Sequence, residues 1–247
     1  MGSRIRIDSL LKKELPPRIF KILQQSGMMA AETGFQLYLV GGMIRDLLLD
    51  QAPEYDYDLV VVGDAGRFAL LLQKRFGGRL TFYPRYLTAA LKLDDGTKID
   101  LVTARRERYS EPAASPRVEA SDLKDDLYRR DFTVNALACS LLPAESGLLY
   151  DYYHGYDDLQ NRLIRVFHPN SFRDDPLRII RAVRFEQRYA FTIEKKTFDC
   201  IKGAIKAKTL ALVSSERLAR EVKNIYLEPY PIRVLERLRD LGVVIDL

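Results

Sequence analysis

EYDYDLVVVGDA, residues 54–65, sets two aspartates two residues apart at the mouth of an apolar run. Leu59, Val60, Val61 and Val62 read as a strand, because an unbroken apolar run rich in valine suits a strand covered on both faces. Acids beside such a strand are costly to bury unless a cation offsets them. In extended chain Asp56 and Asp58 leave the same face, with Cα atoms roughly 7 Å apart. Two readings fit: an acidic pair on the turn side of the strand, or a clamp for metal ions. Two divalent ions held ~3.5–4 Å apart suit an in-line phosphoryl displacement, and oxygen-only ligands select Mg²⁺ or Mn²⁺ over zinc. Asp100, in the strand-like KIDLV, offers a third carboxylate. It reads as a general base, as a further metal ligand, or as an exposed acid at a strand end.

The flanking sequence builds a sheet around this strand. Residues 17–33 have helical spacing and stop at Gly34, and Phe35–Val40 read as a second buried strand. Gly41 and Gly42 then turn the chain into the helical MIRDLLL. Strand, Gly-Gly and helix together can cradle an anion on backbone amides, although most Gly-Gly pairs are only turns. A helix over Ala65–Phe76 closes at Gly77 and Gly78, and LTFYP, LTAALKL and KIDLVTA follow as strands. Residues 106–122, with Pro112 and Pro116, read as a mobile loop.

From about Asp125 helical signals dominate: LYRRDFTVNALACSLL, DDLQNRLIRV, PLRIIRAVRFEQRY, KTFDCIKGAIKA, SSERLAREVKNIYL and YPIRVLERLRDLG. The pattern predicts an α+β chain. Residues 1–150 form a mixed-sheet head with helices and residues 151–247 an all-α neck and body, the change falling near 145–165.

With 247 residues, 47% hydrophobic and 30% charged, the chain is long enough for a substantial core. No apolar run approaches the ~20 residues that span a bilayer, and the start at Met1-Gly2-Ser3-Arg4 lacks the apolar stretch of a signal peptide. Cys139 and Cys200 sit in apolar or helical surroundings and read as buried thiols rather than a bridge. A cytoplasmic protein is expected. The net charge of +5 gathers in RERYSEPAASPR, at Arg129 and Arg130, along Arg173–Arg188 and in KGAIKAK. Clustered positive charge suits a polyanion, although each run alone also suits a solvated face.

DDPLRIIRAVRF, residues 174–185, holds a local conflict. Asp175 is a natural N-cap with Pro176 in the first turn, yet Arg178 then falls where the helix dipole disfavours a cation. Arg178 and Arg181 lie one turn apart, and Arg184 and Arg188 extend the row.

LVGGMIRDLLL (39–49), DYD (56–58), DLYRRDFTVNALA (126–138), LYDYYHGYDDLQNRLIRV (149–166), DDPLRIIRAVRF (174–185) and SSERLAREV (214–222) resemble, in order, the motifs of class II tRNA nucleotidyltransferases and bacterial poly(A) polymerases. The resemblance spans residues ~35–247 and implies a nucleotidyltransferase-type head. It puts the triphosphate at Gly42 and at the guanidinium fork of Arg45, and makes Asp56 and Asp58 the Mg²⁺ ligands. Arg130, Asp131 and Asn135 match the motif that contacts the ribose, and the i,i+4 spacing of the last two would put both on one helix face. Asp175 and Arg178 match the pair that reads the Watson–Crick edge of incoming ATP or CTP, and Arg181 and Arg184 on the same helix are expected at the nucleotide as well. Asp174 stands where the family commonly has Glu, which leaves base preference open. Ser215 reads as a helix cap, with Glu216 and Arg217 steadying the base-reading helix or simply pairing on the surface. Residues 106–122 correspond to the family's flexible segment, which can close over the nucleotide, and His154 and His168 read as structural or surface residues.

The resemblance implies that the 3′-hydroxyl of an RNA attacks the α-phosphate of a nucleoside triphosphate and expels pyrophosphate. The expected partners are a tRNA 3′ end with ATP, and CTP if C is also added. The 109–131 segment resembles the form found in A-adding enzymes. A poly(A) polymerase, and a nucleotide- or RNA-binding chain without efficient catalysis, remain open. The chain stops at LGVVIDL, so the family's distal RNA-gripping body is expected to be missing.

Overall fold

The computed structural model describes residues 5–51 and 57–243, so the expectations for Asp56 lie outside the described residues. Two compact units partition the chain.

The first unit comprises residues 1–107, 118–130 and 135–155. Its helices are α1 (Asp8–Glu14), α2 (Pro17–Thr33), α3 (Gly42–Leu48), α4 (Ala65–Phe76) and α5 (Leu123–Tyr128). Its strands are β1 (Gln36–Val40), β2 (Tyr57–Val62), β3 (Arg79–Tyr83), β4 (Thr88–Lys92), β5 (Lys98–Thr103), β8 (Ala138–Ser140) and β9 (Leu149–Tyr150). These seven make one sheet in the order β3-β4-β5-β2-β1-β8-β9. Only β2 and β5 run parallel; the other neighbours are antiparallel.

Local chemistry explains the boundaries. Pro17 starts α2 at a position where a missing N–H costs nothing, and Gly34 ends it in the left-handed region at φ 77°. Asp64 caps α4 by accepting from the Arg67 amide at 3.0 Å. Leu37, Leu39, Leu59, Val60, Val61, Leu101 and Phe68 are buried and form the heart of this core.

Two expectations change here. Residues 106–122 are more ordered than a loop: β6 (Arg105–Arg108) pairs with β7 (Arg117–Ala120) as a two-stranded ribbon, and Arg106 Nε donates to Glu119 at 2.8 Å. The segment from Leu127 to Leu142, read as one helix, instead passes through a 3₁₀ turn at Thr133–Asn135 and enters the sheet as β8. Ala138, Cys139 and Ser140 are all fully buried there, between β1 and β9. Pairing on both sides overrides a weak strand propensity.

The second unit comprises residues 108–117, 131–134 and 156–247. It is built from α6 (Gly155–Gln160), α7 (Ser171–Asp174), α8 (Arg178–Tyr189), α9 (Lys195–Lys206), α10 (Ser215–Tyr226) and α11 (Pro231–Asp240), with one short parallel pair, β10 (Leu163–Ile164) and β11 (Thr192–Ile193). α10 is capped by Ser214, one residue before the expected Ser215. α8 begins at Arg178 without a side-chain cap; Asp175 serves the preceding turn, accepting from the Leu177 amide at 3.3 Å. Both cysteines are free, Cys139 buried and Cys200 half-buried. Among the described residues no helix is long and apolar enough to cross a membrane.

Candidate active site

In the first unit the acids of two strands meet. β2 and β5 align Asp58 directly with Asp100, so both side chains leave the same face of the sheet on neighbouring strands, which are spaced ~4.8 Å apart. Two anions that close repel and favour a cation between them. Lys98 Nζ donates to Asp100 Oδ2 from the same strand. Among the described residues no group of three or more His, Cys, Asp or Glu is arranged to hold a metal. Asp58 and Asp100 are an oxygen-only donor pair of the kind hard divalent ions take.

The Gly41 turn abuts this pair. Val40 pairs with Asp58 across β1 and β2, and Gly41 follows at φ 84°, ψ −152°, a region that only glycine enters readily. A β-carbon there would lie 3.2 Å from Asp58 Oδ2 and 3.5 Å from Arg130 Nη1. Acid, turn and arginine therefore crowd one spot. Arg130 Nη2 donates to Asp126 Oδ2 at 3.3 Å and Nη1 to the Asn135 carbonyl at 3.4 Å. Its Nε is a buried donor with no acceptor among the described residues. Such orphans are rare and call for an acceptor.

Arg45, expected at the triphosphate, lies against the same turn: a β-carbon at Gly42 would sit 3.1 Å from its Nη2. It is buried, with Nε and Nη2 on the two Asp46 oxygens at 2.8 and 3.0 Å and Nη1 on Asn135 Oδ1 at 2.6 Å. Its fork is thus engaged by protein groups. It braces α3 and orients Asn135. Asp126, fully buried, takes Arg129 Nη2 at 2.7 Å as well as Arg130 and holds the arginine pair in place; the sequence reading missed it. Asp131 and Asn135 do not share a helix face, because that stretch is not an α-helix.

In the second unit, Asp131 Oδ2 receives Arg181 Nε and Nη2 at 2.8 and 2.6 Å, while Oδ1 takes the Phe132 amide at 2.9 Å. The Asp131 charge raises the Arg181 pKa above its ordinary value. Thr133 is held by Asp158 at 2.6 Å, which also receives Arg165. Arg178 is buried, with Nη1 on Ser171 Oγ at 2.6 Å. Asp175 Oδ1 receives Arg217 Nη2 at 2.9 Å, and Arg217 Nη1 reaches the Ala113 carbonyl at 2.9 Å. Arg217 thus steadies the acid before α8.

Arg184, also expected at the nucleotide, is held by acids in this structure. Its buried guanidinium donates to Glu221 and, at 2.8 Å, to Glu228, and Arg188 Nε donates to Glu228 at 2.6 Å. The arginine run along α8 is therefore an internal ion network more than a basic face. Glu221 and Glu228, seven residues apart, were the overlooked signal. His168 is half-buried 3.9 Å from Asp174, its pKa lowered chiefly by burial.

The family model for the poly A polymerase head domain matches residues 37–165, and that for the probable RNA and SrmB-binding site of polymerase A matches residues 190–245. The chain belongs to the tRNA nucleotidyltransferase and poly(A) polymerase family. Within it, the chain is 40% identical to an A-adding tRNA nucleotidyltransferase of Geobacter sulfurreducens, over 98% of this chain and 27% of that protein. It is 41% identical to another A-adding tRNA nucleotidyltransferase, from Halalkalibacterium halodurans, over 90% of this chain and 52% of that one. The solved apo form II of a CCA-adding enzyme superposes with a TM-score of 0.92 at 39% identity, over 98% of this chain and 57% of the other. The chain thus spans between about a quarter and a half of the length of these curated relatives.

Proposed function

We propose that this chain carries the catalytic and nucleotide-recognition parts of a template-independent RNA nucleotidyltransferase. It acts on tRNA 3′ ends in the cytoplasm and adds A from ATP. The observation that carries the proposal is the Asp58–Asp100 register pair beside the Gly41 turn. A-addition is favoured over C-addition because the two A-adding relatives align over nearly the whole of this chain.

Asp56 and Asp58 are the residues that would hold Mg²⁺ or Mn²⁺, which supplies Lewis-acid stabilisation of the triphosphate and an acidified hydroxyl. The chain's own groups do the rest. Asp100 accepts the proton of the RNA 3′-hydroxyl as its oxygen bonds to the α-phosphorus, and the bond to pyrophosphate breaks. The Gly41–Gly42 turn and the unsatisfied Arg130 Nε receive phosphate oxygens. Asp131 accepts from the ribose. Asp175 and Arg178 read the base, an acid accepting from the exocyclic amine and an arginine donating to ring acceptors.

The test supplies Mg²⁺ and one labelled nucleotide at a time to three acceptors: tRNA ending before CCA, tRNA ending in CC, and an unstructured RNA. Label from ATP on the CC-ended tRNA alone is expected. Long tails on unstructured RNA would make the chain a poly(A) polymerase, and no incorporation on any acceptor would overturn the enzyme reading.

A further inference from the structure

Arg181 gives both of its donors on one edge to a single oxygen of Asp131, at 2.8 and 2.6 Å. Its guanidinium also lies over the Phe185 ring, 5.9 Å from the centroid. Phe185 in turn meets Phe132, the residue after Asp131, edge-to-face at 5.8 Å and 77°. Arg181 and Phe185 sit one turn apart on α8, so this helix grips the 131–132 segment at two points, one ionic and one aromatic. With the Phe132 amide on the other oxygen, the Asp131 carboxylate is fixed in rotation. The fork that the α8 row seemed to offer to a base is occupied.

We infer that Arg181 is a positioning residue for sugar recognition: it fixes the carboxylate of Asp131 so that the protein selects ribonucleotides over 2′-deoxyribonucleotides, while the base is chosen elsewhere. The inference rests on the reading of Asp131 as the ribose acceptor. A site built to bond a substrate hydroxyl rejects the analogue lacking it, because the buried acceptor is then left unpaired. That rejection depends on the acceptor being unable to turn aside. Once Arg181 is shortened, Asp131 gains rotational freedom and can find other donors when the 2′-hydroxyl is absent.

The test measures equilibrium dissociation constants of the whole chain with Mg²⁺ for ATP, 2′-deoxyATP and CTP, in the wild type and in Arg181→Gln, Arg181→Lys and Asp131→Asn. The ratio for 2′-deoxyATP over ATP should fall about tenfold in Arg181→Gln, the size expected for one charge-assisted hydrogen bond. It should fall less in Arg181→Lys, which keeps the charge and one donor, and the CTP over ATP ratio should stay constant in both. Loss of base choice with sugar choice intact would overturn the inference and make Arg181 a base reader; unchanged ratios of both kinds would also overturn it. Asp131→Asn separates the underlying reading. If sugar choice survives in that variant, or if the wild type binds ATP and 2′-deoxyATP alike, Asp131 is not the ribose acceptor and the inference falls with it. Should Arg181→Gln fail to fold, Arg181→Lys alone decides between these outcomes.

Discussion

Asp58 and Asp100 stand side by side as register partners on adjacent parallel strands, with the Gly41 turn against the first of them. Like charges so close repel even with Lys98 on Asp100, so neutralising either acid should separate stability from activity. Asp58→Asn and Asp100→Asn should melt at or above the wild-type temperature in metal-free buffer. Single-turnover incorporation should drop on the order of 10²–10⁴-fold, the usual yield of a positioned acid or base. A variant that loses stability in step with activity would mark a structural acid instead.

The network joining α8 to α10 and to Glu228, two residues beyond it, makes a strong stability prediction. Glu228 is buried and accepts from both Arg184 and Arg188; burial lowers the Arg188 pKa, but hydrogen bonds to Glu228 and Tyr189 outweigh it and the net shift is upward. Removing one partner of a buried pair strands the other charge, at about 3–5 kcal/mol. Glu228→Ala should therefore lower the urea midpoint substantially. Glu216→Ala, exposed on α10, should stay within about 0.5 kcal/mol.

Gly27 tests packing against propensity. In a helix interior Gly→Ala gains about 1 kcal/mol, but a β-carbon at Gly27 would sit 1.8 Å from the Leu141 carbonyl oxygen. Backbone cannot yield as a side chain does, so Gly27→Ala should lower the melting temperature by several degrees in a thermal scan. A rise would mean that α2 can slide off the sheet.

The two thiols should differ in reactivity. Burial pushes the Cys139 thiol up to about 12 and also raises Cys200, whose half-exposed position leaves it reachable. The thiolate is the nucleophile, so a raised pKa means less reaction at neutral pH and more as pH climbs. A thiol reagent at pH 8 should modify one cysteine slowly in native protein and both quickly in denaturant; two fast thiols in native protein would contradict the burial of β8.

Much of this was legible along the chain. The α4 helix ends where its Gly pair begins, and β1 and β2 read directly from continuous apolar runs. What was illegible shares one property, which is partners far away in sequence. Ala138–Ser140 carry no strand signature and become β8 because β1 and β9 lie on either side. Arg184 looked like part of a basic face because Glu221 and Glu228 stand 37 and 44 residues downstream. The bond from Arg45 to Asn135 was equally invisible, because its partner is 90 residues away. Periodicity shows which way a side chain points, but long-range pairing decides whether it is spoken for.

Base choice should respond to Arg178 and Asp175 and not to their charge alone. Arg178 Nη1 is anchored on Ser171 and Asp175 on Arg217, so each proposed base reader has a brace that limits its rotation. Arg178→Ala should reduce discrimination between ATP and CTP about tenfold or more, since each well-placed bidentate reader is worth about 1–3 kcal/mol. Arg217→Ala should produce a smaller loss in the same direction, because Asp175 remains but is no longer held. Competition between the two labelled nucleotides for one CC-ended tRNA measures both. If Arg217→Ala erased selectivity while Arg178→Ala left it intact, reading would belong to α10 rather than to the start of α8.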